Sequence, residues 1–591
     1  MAVNSIRQDE EQLHSNKLSM MKRLFIYLLS YKKDLALVAV IMTVTLTISM
    51  TWPLLMELAV NRYVAAKDIR GLLRLGAAAL IMAAVFAWGS RTRMIIMAKL
   101  SNQVLMTIRQ ELYAHIQTLS FHFFDSRPTG KILARIIGDV NSLKDVLSDS
   151  ITKLTPDLLT VVGVAAIMVA KNIYLAMAAL LTMPLLAVGM FLLQTKAYPM
   201  WQLYRKKSSN LNAFVHEDFS GIRLVQSFAA EEESRKDFYQ LAEEQRNSFC
   251  QAARCVDCFG PMVEITWGLG SFFLYFIGIH FLGRNAVEVG TYLAFSTYLA
   301  MFWSPIRNLA SFYNKLITNL SAAERVFDIL DTPAEITDRE GAVILPPLTG
   351  KVEFRHVSFA YEDEPERLIL KDVNFTVDPG ETIALVGPTG AGKTTIVNLI
   401  GRFHEVTDGE ILLDGISVRE VTLESLRSQL GIMTQDNFLF SGTIRDNIRY
   451  GRLDATDEEI EAAARAVSAH EFIMALENGY ETEISERGSR LSIGQRQLLA
   501  FARTMVSNPG ILILDEATSS IDTHTERLVQ QGIEHLLAGR TSFVVAHRLS
   551  TIRKADRIFV IDQGNILEQG NHRELMEKRG AYYQLYQSQF E

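Results

Sequence analysis

Gly387-Pro-Thr-Gly-Ala-Gly392-Lys393-Thr394-Thr395 is a glycine-rich run of the form G-x-x-x-x-G-K-T. It follows an apolar run, Thr382 to Val386, that reads as a buried strand, and it precedes a helical pattern from Ile396 to Phe403. That strand–loop–helix context is what the motif requires. Glycines let main-chain N–H groups approach phosphate oxygens, and the helix start offers unpaired N–H groups at its positive end. Lys393 reaches the outer phosphates, and the Thr394 hydroxyl is a ligand for Mg²⁺. Gly387, Pro388, Thr389, Gly390, Ala391, Gly392, Lys393, Thr394 and Thr395 are therefore the candidate phosphate-binding residues.

Two more strand ends carry polar groups. Ile511-Leu-Ile-Leu514-Asp515-Glu516 is an apolar strand ending in two carboxylates, and Val544-Val-Ala-His547 ends in a histidine. Parallel sheets bind ligands at the carboxyl ends of their strands. Asp515 is placed to hold the Mg²⁺ water shell, Glu516 to polarise an attacking water, and His547 to contact the γ-phosphate. The plainer reading of Asp515 and Glu516 is an acidic helix cap.

These residues need a parallel sheet to position them, and from about Lys351 the chain has the alternating pattern of a soluble α/β domain. The first half is different. Leu35 to Met56 and Asn172 to Thr195 are charge-free and long enough to cross a hydrocarbon core of about 30 Å. Ile265 to Gly283 and Val289 to Ile306 form two more such runs, and Leu75 to Ser90 and Leu158 to Ala170 are shorter ones. The count is six spans, the two short ones either continuing as helices beyond the bilayer or lying against neighbours. Lys99 to Lys153 and Lys196 to Arg254 are long basic loops, so the positive-inside rule places them and both termini in the cytoplasm. Apolar residues at helical spacing over Val104 to Ile116 and Ile132 to Leu147 make the first loop a helical hairpin turning near Asp125 to Gly130, and the second loop has a comparable bend near Glu217 to Gly221.

Composition agrees. The 591 residues are 49% hydrophobic and 21% charged with a net charge of −7, which excludes a disordered chain and a basic nucleic-acid binder. The three cysteines, Cys250, Cys255 and Cys258, cannot staple a fold of this size.

The order Tyr361, Gly387 to Thr395, Gln435, Leu491-Ser-Ile-Gly-Gln495, Asp515-Glu516, Ser520-Ile-Asp522 and His547 resembles the nucleotide-binding domain of ATP-binding cassette (ABC) transporters. With six preceding spans, the whole resembles an ABC exporter half-transporter of the multidrug or lipid type. The resemblance implies a membrane all-α six-helix transmembrane domain followed by an α/β P-loop nucleotide-binding domain. The expected layout is a polar tail over 1–19, a transmembrane domain over 20–325, a linker over 326–349 and the nucleotide-binding domain over 350–591. It also implies roles. Tyr361 stacks on adenine, and Gln435 senses Mg²⁺ and the attacking water. Glu516 is the catalytic carboxylate, and His547 is the switch histidine. Ser492, Gly494 and Gln495 cap ATP held by a second cassette, while Asp522 couples the two sites. Glu486 touches the partner's helical arms. ATP and Mg²⁺ are the expected cofactors.

One residue departs from the family's Leu-Ser-Gly-Gly-Gln signature, because Ile493 stands at the middle position. Glycine there accepts a strained backbone and close phosphate approach, and a β-branched residue accepts neither well. Such departures recur in heterodimeric exporters, on the chain that keeps its catalytic glutamate. A second half-transporter of different sequence is the favoured partner, and a homodimer that tolerates Ile493 is the other. The expected function is ATP-driven efflux of hydrophobic or amphipathic small molecules, lipids or peptides across the cytoplasmic membrane of a bacterium. The alternatives are an ATP-gated channel or sensor on the same engine and a soluble ATPase regulator, the latter opposed by the spans.

Overall fold

The computed structural model describes residues 17–281, 287–361, 364–434, 437–485, 488, 490–515, 523–546 and 548–590. These fall into two compact units. One runs to Ile116 and from Thr129 to Thr332, and the other joins Gln117–Pro128 to the chain from Pro333 onward.

The first unit is helical. Among the described residues, five helical stretches are long and apolar enough to cross a membrane: Lys32–Val64, Ile69–Thr118, Thr129–Lys171, Ile173–Ser220 and Glu231–His280. A sixth helix, Val289–Asp331, has 43 residues and carries the last apolar run of the sequence. The two short runs do continue: Leu75 to Ser90 lies inside the 50-residue helix Ile69–Thr118, and Leu158 to Ala170 inside Thr155–Lys171. Breaks fall where side chains or glycine satisfy helix ends. The Asn172 side chain accepts from the N–H groups of Tyr174 and Leu175 at 3.0 and 3.1 Å, starting a new helix. Met183–Ser220 stops at Gly221, and the short helix Ile222–Ser227 turns the chain into Glu231–Asp257. The two arms of that hairpin are pinned by Lys207 on Glu244 at 2.6 Å and by Trp201 against Phe249. Elsewhere in the unit Arg325 grips both oxygens of Asp139, at 2.8 and 2.6 Å.

The second unit has a six-stranded sheet in the order Asn565–Gly570, Arg557–Asp562, Thr382–Val386, Thr541–Val545, Ile511–Asp515 and Leu430–Met433. All neighbours pair in parallel except Asn565–Gly570 with Arg557–Asp562. Both faces are covered, which is why these strands read as unbroken apolar runs. Alternate side chains feed two cores. Ala384, Val386, Leu512, Leu514 and Val544 enter one. Ile383, Leu385, Ile511, Ile513, Phe543 and Val545 enter the other, shared with a four-stranded antiparallel sheet. The short helix Phe121–Asp125 belongs to this unit, with the Phe121 and Phe403 rings 4.7 Å apart.

Candidate functional site

The strand order sets the polar strand ends side by side. Val545 pairs with Leu385 on one flank and with Asp515 on the other, so Asp515 emerges next but one to the strand that feeds the glycine loop. Gly387 opens that loop at φ +148°, where a Cβ would stand 2.0 Å from the Ile561 carbonyl oxygen. No other residue fits there. Gly392, at φ +106°, starts the helix Lys393–Ile400.

Lys393 is only 8% exposed, and its ammonium donates to the carbonyls of Gly387 and Pro388 at 2.7 and 2.9 Å. Burial pushes its pKa below the usual 10.5, and the negative charge of Asp515 opposes that shift. The lysine is thus aimed across the loop and in electrostatic contact with the strand-end carboxylate. Thr394 is exposed at the same helix start and Thr395 is buried. The Thr394 hydroxyl and the Asp515 carboxylate are both hard oxygen donors, the class Mg²⁺ takes, so the residues present fit that ion. Tyr361 is half-buried, with its hydroxyl 3.3 Å from the Thr395 hydroxyl. That contact ties the candidate adenine platform to the phosphate loop, and nothing in the local sequence announces it.

The segment Leu491 to Gln495 forms a helix start. Ser492 is the N-cap of Ile493–Ser507, closed reciprocally with Gln495. Gly494 is buried in the first turn. Ile493 lies in the helix itself and is absent from the residues with positive φ, so the expected backbone strain at this position does not arise. Its side chain is 42% exposed. What isoleucine changes is therefore the surface presented at the helix end. Gln435, Glu486, Glu516, Asp522 and His547 lie outside the described residues.

The family described as ABC transporter transmembrane region matches residues 35–306, and the one described as ABC transporter matches residues 370–519. The chain belongs to the ABC transporter family. The transporter is 43% identical over 494 residues to the uncharacterized ABC transporter ATP-binding protein YknV of Bacillus subtilis, covering 84% of this chain and 82% of that protein. It is 40% identical over 496 residues to an ATP-dependent lipid A-core flippase of Syntrophus aciditrophicus, again covering 84% and 82%. A solved bacterial Atm1-family ABC exporter with ATP bound superimposes with a TM-score of 0.78 at 27% identity, over 95% of this chain and 98% of that one. The transporter is an ABC exporter half-transporter. Its helical membrane domain precedes an ATP-binding domain, and it couples ATP hydrolysis to export across a membrane.

Proposed function

We propose that the transporter exports amphipathic molecules, lipids foremost, from the cytoplasmic side of a bacterial plasma membrane by alternating access. The observation that carries the ATP-driven part is the pairing of Asp515, at a strand end next but one to the strand that feeds the glycine loop, with Lys393 at the start of the helix after that loop, whose charges influence each other, a geometry suited to a magnesium nucleotide. The substrate class is supported by the relative named as a lipid A-core flippase. Small hydrophobic drugs and peptides remain within the same chemistry.

In this reading Tyr361 stacks on adenine. The loop Gly387 to Thr395 wraps the phosphates with its N–H groups, and Lys393 transfers its ammonium from the Gly387 and Pro388 carbonyls to phosphate oxygens. Thr394, Gln435 and Asp515 hold Mg²⁺, which supplies charge neutralisation at the phosphates. Glu516 polarises water and His547 contacts the γ-phosphate. Ser492, Gly494 and Gln495 cap nucleotide on a second chain, and Asp522 couples the sites. ATP favours the closed pair of cassettes, and that differential affinity drives the switch. The helical hairpins turning at Phe121–Asp125 and Ile222–Ser227 lie on the cytoplasmic side, as do both termini.

Ile493 favours a partner of different sequence. ATP hydrolysis by the chain purified alone in lipid tests this, with Glu516→Gln as control. Slow turnover that a co-expressed second half-transporter restores supports the asymmetric pair. Fast turnover abolished by Glu516→Gln establishes a competent homodimer. ATP-dependent flipping of a fluorescent phospholipid in proteoliposomes tests the substrate class.

A further inference from the structure

Arg402-Phe403-His404-Glu405 follows the helix that leaves the phosphate loop. Phe403 is held between the Phe121 ring at 4.7 Å and the Arg427 guanidinium at 4.8 Å. The next residue, His404, meets Tyr361 edge to face, with centroids 5.3 Å apart and planes at 88°. Phe359 closes the group, 5.5 Å from His404 and 4.9 Å from Tyr361. A cavity of about 90 Å³ adjoins these rings, lined also by His122, Glu335 and Glu405. One imidazole therefore stands between the ring proposed to carry adenine and the short helix Phe121–Asp125.

We propose that His404 is a positioning residue for ATP, fixing the Tyr361 ring for stacking and passing movement of the helix Phe121–Asp125 to it. The proposal rests on the reading of Tyr361 as the adenine platform. Apart from its own strand neighbourhood, the Tyr361 ring is oriented by the Thr395 hydroxyl at one end and by near-perpendicular contacts with the Phe359 and His404 rings. Aromatic pairs hold geometry as well as area. Removing the imidazole joins its volume to the existing cavity and leaves the tyrosine free to tilt into it. Burial pushes the His404 pKa below 6.5, against Asp125 and Glu335 and with the help of His122, so the ring beside Tyr361 is neutral at pH 7. The other cavity carboxylate, Glu405, is engaged by Arg402 and Arg419 at 2.7 and 2.9 Å.

The test is equilibrium binding of a non-hydrolysable ATP analogue, AMP-PNP with Mg²⁺, to the full chain in lipid nanodiscs. Tyr361→Ala is expected to weaken binding about tenfold, and His404→Ala about 2–10-fold. His404→Phe keeps a ring against Tyr361 and should stay near the unsubstituted affinity. Phe121→Ala should weaken binding when His404 is present and add nothing to His404→Ala. His404→Gln, which keeps bulk without a ring, replaces His404→Ala if that variant fails to fold. Weak binding by Tyr361→Ala with unchanged binding by the His404 variants overturns the proposal and leaves the adenine platform standing. Unchanged binding by Tyr361→Ala overturns the platform itself. His404→Phe as weak as His404→Ala also overturns the proposal.

Discussion

Ser492 and Gln495 close a reciprocal pair around Ile493. The Gln495 main-chain N–H donates to Ser492 Oγ at 3.2 Å, and the Ser492 N–H donates to Gln495 Oε1 at 2.9 Å. This capping box satisfies two helix-end donors without help from residue 493. Ile493 sits in ordinary helical backbone with its side chain 42% exposed. Ile493→Gly should therefore relieve no strain and cost at most about 1 kcal/mol of stability. Its effect belongs at the surface, where a smaller residue lets a facing phosphate approach. In the assembled pair, Ile493→Gly is expected to raise steady-state phosphate release severalfold while the thermal midpoint barely moves. A lower midpoint with unchanged turnover would assign Ile493 to stability instead.

Lys393 donates two hydrogen bonds to its own loop and is almost fully buried. Lys393→Met keeps the stem and removes the charge. Bonds from a charged donor are worth about 1.5–3 kcal/mol each, so losing one to phosphate weakens ATP binding about 10–100-fold. Stability without nucleotide should change less than affinity does, since the variant removes a charge held out of water. Titration calorimetry and thermal unfolding of the same preparation separate the two.

Asp414 gathers the start of the nucleotide domain. Its carboxylate accepts from the Thr349 hydroxyl at 2.7 Å and from the Lys351 N–H at 2.8 Å, with Thr349 and Gly350 N–H groups alongside. Burial pushes its pKa up, but these donors outweigh burial and hold it below the usual 3.8. A carboxylate with a depressed folded value stabilises fully above its unfolded value and loses that contribution as pH falls through the folded one. Asp414→Asn should thus cost about 1–3 kcal/mol near neutral pH. The readout is faster amide exchange in the peptide 345–355 than in the unsubstituted chain. That difference should shrink below pH 3.8, and a difference independent of pH would remove the carboxylate from the account.

The phosphate loop was legible because its strand, glycines and helix are contiguous, and each works through local backbone geometry. The strand ends at Asp515 and Val545 were legible because strands buried on both faces need unbroken apolar runs. Thr541–Val545 pairs in parallel with the sequence-distant Thr382–Val386 on one side and with the nearby Ile511–Asp515 on the other, an order that the α/β pattern implies without fixing. Tyr361 against Thr395 and His404 against Tyr361 had no such signature. Each joins side chains from separate segments, and a histidine in a turn reads as a solvated residue until its neighbours are known. The strain expected at Ile493 failed for a related reason. A signature glycine suggests a left-handed backbone, whereas the Ser492 cap places position 493 in a regular first turn.

Three helices of the membrane unit are joined by one polar cluster. Lys171 ion-pairs with Glu57, whose other oxygen accepts from the Thr291 hydroxyl at 2.9 Å. One turn along, Asn61 Oδ1 accepts from the Gly290 N–H at 2.7 Å. A Cβ on Gly290 would stand 2.4 Å from that same oxygen, so the approach depends on glycine. The side chains of Lys171 and Glu57 are 31% and 16% exposed, which screens the pair in part. Glu57→Ala strands the ammonium and a hydroxyl together, and a cost of about 1–3 kcal/mol is expected, below the value for a fully buried pair. Lys171→Met should cost less, because Glu57 retains Thr291. The double variant Glu57→Ala with Lys171→Met should recover most of the loss, since no charge is then left alone. Thermal unfolding of all four proteins in nanodiscs supplies the cycle. If the double variant is as unstable as the sum of the singles, the ion pair is incidental, and the Asn61–Gly290 hydrogen bond and apolar packing hold these helices without it.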